Sequence, residues 1–140
     1  MSNNMVQDIH DMHTKYGVRD WVKKQVEEKN SGKLQQFLDF RMDFIEEEFN
    51  ETLRAVALDN DPEEVVDGLI DIIVVALGTL DAFGVDAQKA WDEVHNANMA
   101  KEPGVKPERP NPLGLPDLIK PEGWTAPSHY GNYGYLTDTL

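Results

Sequence analysis

Four acids stand out for what their spacing could do: Glu48 and Glu51 in one block, Asp67 and Asp71 in another. Carboxylates three or four residues apart share one face of a helix and repel each other there. Gathered together, such groups need cations. Oxygen donors with no nearby His or Cys suit a hard divalent ion, Mg2+ or Mn2+. The first block runs Ile45-Glu46-Glu47-Glu48-Phe49-Asn50-Glu51. At about 100° per residue, Ile45, Phe49 and Val56 centre an apolar stripe. Glu48 and Glu51 fall along its edge, Glu47 lies further round, and Glu46 points to the far side. Taken alone, this block also reads as a solvated Glu-rich face.

The second block carries more weight. Asp61 suits an N-cap and Pro62 the first helical position, with Glu63 and Glu64 in the first turn. The pattern predicts a helix to about Ala82, ended by Phe83-Gly84. From Val65 to Leu80 apolar residues occupy most of its circumference, and such a helix is expected to be buried. Asp67 and Asp71 interrupt it on the face that also carries Glu64, Val74, Val75 and Gly78. Buried carboxylates are costly without cations. On the facing helix only Arg41 and Arg54 are near in sequence, too few for four or five acids. The expectation is a divalent metal site between the two helices, with Gly78 leaving room for a ligand. The competing reading has Asp67 and Asp71 salt-bridged inside a bundle.

Other elements must position this pair. Met5, Ile9, Met12 and Tyr16 make one helical stripe that Gly17 ends. His13 lies beside the stripe, either at the core edge or lining a ligand pocket. Val18 to Ser31 reads as a short helix or an ordered loop; its Trp21 packs or stacks on a base. The helix bearing the first acid block builds from Lys33. Asp86 to Lys101 makes a fourth, with Asp86 as N-cap. Its Lys101 either reaches a phosphate or simply completes a basic helix end. After Lys101 come seven of the eight prolines and five of the ten glycines. The domain is therefore placed at residues 1–101, with residues 102–140 an irregular extension. Leu113, Trp124, Tyr130, Tyr133 and Tyr135 suggest that it packs on the domain or on a neighbouring subunit. A lone hairpin cannot cover the apolar remainder of the third helix, so a homo-oligomer is expected, dimer or tetramer.

The chain has 140 residues, 40% apolar, enough for one domain with a modest core. It has no cysteine, which excludes disulfides and thiolate metal sites. A formal charge of −13 argues against nucleic-acid polymers as partners, though a metal cluster can still attract a phosphorylated small molecule. Met1 to Met5 shows no signal-peptide pattern and no apolar run is long enough to span a bilayer, so a cytoplasmic location is expected.

Glu47-Glu48-Phe49-Asn50-Glu51, followed by acids leading into an apolar helix, resembles the MazG-like all-α nucleoside triphosphate pyrophosphohydrolases, which include dimeric dUTPases and phosphoribosyl-ATP pyrophosphohydrolase. Glu64-Val65-Val66-Asp67 matches the second half of the signature by letter. The run from Asp67 to Thr79 looks more like the small phage and bacterial members, with Asp71 as the signature Asp. His13 to Gly17 and Glu93 to Lys101 resemble those members too, and Arg19 to Leu34 reads as an insertion. The resemblance spans about Met5 to Lys101. It implies an all-α bundle of about four helices that hydrolyses an NTP or dNTP between the α and β phosphates, giving the monophosphate and pyrophosphate. It implies metal, in two or more ions, on Glu48, Glu51 and Asp71 with Asp67 or Glu64. Glu47 would orient or deprotonate the water; Lys101, Asn98 and Arg54 would hold the phosphates; His13 and Trp21 would meet the base. A purine dNTP such as dGTP is one candidate substrate. The alternatives are a dUTPase-like or phosphoribosyl-ATP enzyme on the same scaffold, or a non-catalytic helical interaction protein.

Overall fold

Asn4 opens the first helix. Its side chain accepts hydrogen bonds from the backbone N–H groups of Val6 and Gln7, two donors that a helix start otherwise leaves unpaired. The computed structural model describes residues 4–140; the signal-peptide reading of residues 1–3 lies outside them. Helix α1 spans Met5–Tyr16 and ends at Gly17, whose φ of 73° is left-handed. Helix α2, Val18–Glu27, follows at once, so the charged stretch after Gly17 is helix and not loop. Asn30 caps α3, Ser31–Arg54, which passes into a π-helical turn at Ala55–Asp59. Asn60, in the left-handed region, stops it. Helix α4, Pro62–Ala82, starts as its sequence predicts: Asp61 accepts from the N–H groups of Glu63 and Glu64. Helix α5, Ala87–Met99, begins directly after Asp86. Among the described residues five α-helices thus carry an all-α fold, one more than the pattern suggested. The Pro-rich tail adds a small antiparallel pair, β1 (Glu102–Gly104) with β2 (Asp117–Ile119), and a 3-10 turn at Gly134–Asp138. No helix among the described residues is long and apolar enough to cross a membrane.

The chain forms two compact units. One holds the residues up to Ala87 together with Tyr133–Leu140; the other is Gln88–Asn132. In the first, α3 and α4 form the most extensive helix pair and α1 also packs on α4. Its core is Val22, Leu34, Ala82 and Phe83, with Phe37, Leu38, Tyr135 and Leu136 against them. That core sits where α3 begins and α4 ends. The tail closes it: the Tyr135 N–H donates to the Phe83 carbonyl, and Gln35 Nε2 donates to the Thr139 carbonyl at 2.8 Å. Gly134 approaches the Phe83 carbonyl so closely that a Cβ would collide with it, and its φ of 52° disfavours any side chain.

The α3–α4 seam follows one stripe on each helix. On α3 it is Leu34, Leu38, Arg41, Ile45, Glu48, Thr52 and Ala55, spaced alternately by four and three. On α4 it is Gly68, Asp71, Val75, Gly78 and Ala82. Contacts fix the register. Thr52 meets Gly68, and Arg41 donates to the Val75 carbonyl at 2.9 Å and to Thr79 Oγ1 at 3.1 Å. This rotates α3 relative to the sequence reading. Phe49 and Val56, placed at the centre of the stripe, are exposed, and Glu48 lies on the seam instead of at its edge. The expectation that α4 is buried all round also fails within one chain. Val66, Leu69, Ile70 and Ile73 are 41–64% exposed, because α1 and α3 cover only the face that carries Gly68, Val75, Gly78 and Thr79.

Candidate functional site

The seam register sets Glu48 of α3 against Asp71 of α4. Both are half-buried in a row filled, Arg41 apart, by apolar or small residues. Below them, Thr52 Oγ1 donates to the Glu48 carbonyl at 2.7 Å, and Gly68 lets the backbones approach. Burial pushes the Glu48 carboxyl above the usual carboxylate range. The charges of Asp71, Glu51, Glu47 and Asp67 push it further in the same direction. Acids from both helices therefore act on one another, although Asp67 is exposed and not buried as expected. Among the described residues no ion pair reaches Glu47, Glu48, Glu51, Asp67 or Asp71. Glu64 lies exposed in the first turn of α4.

Cations close in sequence are engaged elsewhere. Arg54, exposed, is 3.7 Å from Asp59. Arg41 is committed to Val75 and Thr79, and burial lowers its pKa. Among the described residues no three acidic or histidine side chains converge tightly enough to hold a metal ion as they stand. The carboxylates share a field, not a point. Their chemistry nonetheless fits a hard divalent ion: oxygen donors only, surplus negative charge, and long glutamates that can swing inward.

Such an acid-lined helix pair has relatives. The profile of the phosphoribosyl-ATP pyrophosphohydrolase family matches residues 15–98, more than half of the chain. The chain belongs to that family. It is thus an enzyme that cleaves a pyrophosphate bond of a nucleotide, within the MazG-like all-α superfamily. No curated protein is similar enough to count as a match.

Within this pyrophosphohydrolase, the matched span holds Glu47, Glu48, Glu51, Glu64, Asp67 and Asp71, with Trp21 and Arg54, and ends on Asn98. Lys101 and His13 fall outside it. Trp21 is 39% exposed and packs its ring 5.3 Å from that of Phe37. Asn98 and Lys101 stand at the end of α5, in the second unit. His13 is only 3% exposed, turned onto Asp81 near the far end of α4. No sequence motif announces the group around it. His10 Nδ1 lies 3.0 Å from Asp81 Oδ1, and Arg19 Nη1 lies 3.1 Å from His10 Nε2. An arginine can only donate, so Nε2 accepts and the proton sits on Nδ1, donating to Asp81. The spacing His10-x-x-His13 on one face of α1 was the available signal. A cavity of about 540 Å³ opens beside this knot, lined by Arg19, Lys23, Asp81 and Tyr135 among others.

The knot has a pH consequence. Burial lowers the His13 pKa below its ordinary 6.5; Asp81 opposes that shift, and Arg41 and Arg19 add to it. A depressed histidine pKa gives stability that is present above the unfolded value and lost as pH falls through the folded one. The melting temperature should therefore drop as pH falls below about 6.5. The drop should shrink in His13→Asn. An equal drop in both proteins would assign it to other groups.

Proposed function

We propose that this pyrophosphohydrolase binds Mg2+ or Mn2+, in two or more ions, at the α3–α4 seam. It hydrolyses a nucleoside or deoxynucleoside triphosphate between its α and β phosphates. The supporting observation is the opposition of Glu48 and Asp71, with Glu51 and Asp67 beside them and, among the described residues, no cation paired to any of the four. These four residues would hold the ions, with Glu64 one turn earlier on α4 as the alternative to Asp67. Bound there, the metal supplies positive charge for the phosphates and a more acidic water. Glu47, exposed beside Glu48, would orient the attacking water and accept its proton. The water oxygen bonds to the α phosphorus, and the bond from that phosphorus to the bridging oxygen breaks. The monophosphate and pyrophosphate leave. Arg54 can exchange its exposed Asp59 contact for a phosphate. Asn98 and Lys101 are assigned to phosphate binding, and Trp21 to the base, by resemblance.

A pooled carboxylate site gains stability from metal, whereas a plain helical bundle does not respond. Saturation at a hundred times the dissociation constant is worth about 2.7 kcal/mol. We expect Mg2+ or Mn2+ to raise the melting temperature, and a flat response would remove the metal from this reading. A panel of NTPs and dNTPs with pyrophosphate detection then tests the substrate, purine dNTPs such as dGTP included. The family match favours a second substrate, phosphoribosyl-ATP, which belongs in the same panel. We also propose that the apolar residues left open on α3 and α4 are covered by further copies of the chain. Phe40, Phe49, Leu53, Val66, Leu69 and Ile70 are each about half exposed or more. A monomer in sedimentation velocity would refute this.

A further inference from the structure

The second unit brings two lysines onto one aromatic ring. Lys101 Nζ lies 5.3 Å, and Lys120 Nζ 5.1 Å, from the centroid of Trp124. The indole is itself anchored, with Nε1 donating to the Ala97 carbonyl at 2.8 Å. The β1–β2 register explains the convergence. Glu102 pairs with Ile119, so Lys101 and Lys120 occupy the next opposing positions just beyond the strands. Like charges placed opposite one another destabilise a strand pair. The negative face of the indole offsets part of that repulsion. No carboxylate does so: among the described residues neither lysine forms an ion pair. The other two cations of the same hairpin behave differently. Lys106 and Arg109 both pair with Asp117, at 3.7 and 2.9 Å. In a chain with 26 acids and 13 lysines and arginines, two neighbouring ammonium groups without an acid are unusual. A cavity of about 480 Å³ adjoins Trp124, walled by Asn96, Ala97 and Gly123, and also by Glu93 and Glu122.

We infer that Lys101, Lys120 and the face of Trp124 form a binding site for a di- or triphosphate chain, free or carried on a nucleotide. Each ammonium can bind phosphoryl oxygens of such a chain, and the anion offsets the repulsion between the two lysines. Lys120 and Trp124 lie well beyond the span matched by the family. The site shares Lys101 with the phosphate-binding role assigned above but uses none of the acids on α3 and α4, and titration without divalent metal separates it from the hydrolytic reading.

Calorimetric titration of the full chain, without divalent metal, tests it. Inorganic tripolyphosphate and a nucleoside triphosphate are titrated separately. Lys101→Gln and Lys120→Gln keep a polar side chain of similar reach and remove the charge. Each should weaken binding about ten-fold or more, and Lys120→Arg should restore it. Glu46→Gln and Lys24→Gln should leave binding unchanged. Circular dichroism confirms that each variant is folded. Tighter binding of the nucleoside triphosphate, with a fluorescence change lost in Trp124→Phe, assigns the ligand to a nucleotide. Equal affinities assign recognition to the phosphate chain alone. The inference is overturned if neither ligand binds, if Lys120→Gln has no effect, or if Lys24→Gln weakens binding as much.

Discussion

Glu48→Gln should cut pyrophosphate release about a thousand-fold or more while leaving the folded protein at least as stable. The two halves come from one geometry. Glu48 sits on the seam opposite Asp71, and burial and four neighbouring acids all raise its pKa. A raised carboxyl contributes stability that is fully present below its unfolded value, near 4.5, and is lost as pH rises through the folded value. Once ionised, the side chain is therefore a liability to the fold. Glutamine keeps the shape and removes the charge. A residue retained for packing behaves the other way, losing stability when changed and sparing activity. Asp71→Asn should follow Glu48→Gln, and Glu46→Gln, on the exposed side of α3, should change neither quantity. The assays are pyrophosphate release with Mg2+ and a thermal melt. Unchanged release from Glu48→Gln would end the assignment of this seam as the active site.

The second large effect is expected at Gly68, which does no chemistry. A Cβ at this position would overlap the Thr52 hydroxyl, and that hydroxyl cannot swing aside without giving up its bond to the Glu48 carbonyl. Gly68→Val forces α3 and α4 apart one turn from the acids. Overpacking of this kind costs about 1–3 kcal/mol. The larger loss should be catalytic. Separating Glu48 from Asp71 by about an ångström spoils a site that depends on both helices, at about a hundred-fold in rate. The double variant Gly68→Val/Thr52→Ala removes the obstructing hydroxyl and should recover part of both losses. No recovery would show that the helices are not spaced by this contact.

Much of this was legible in the residues because local rules wrote it. Asp61-Pro62 announced the start of α4, Gly17 the end of α1, and the two acid blocks the seam. Two things were not legible, for physical reasons. Phe49 and Val56 outweigh Thr52 and Ala55 in any hydrophobic count, so they drew the apolar stripe of α3 to the wrong side. What faces α4 was chosen instead by close approach, where small residues win. The four-three spacing from Leu34 to Ala55 held that information, but Arg41 and Glu48 interrupt it. Long-range pairing was the second gap. Nothing local to Tyr135 or Thr139 tells that they complete a core begun at Val22. Nor does a Pro-rich stretch show that its lysines will meet across a hairpin.

The return of Tyr133–Leu140 to the first unit has a topological consequence. Everything from Gln88 to Asn132 is an excursion that leaves and rejoins one body. Phe83 and Tyr135, hydrogen-bonded to each other, mark its two gateposts. Since closing a loop costs free energy only as the logarithm of its length, the body is nearly indifferent to how long that excursion is. The second unit is in that sense a cassette. A change in its length would cost the core that Phe83 and Tyr135 close little free energy.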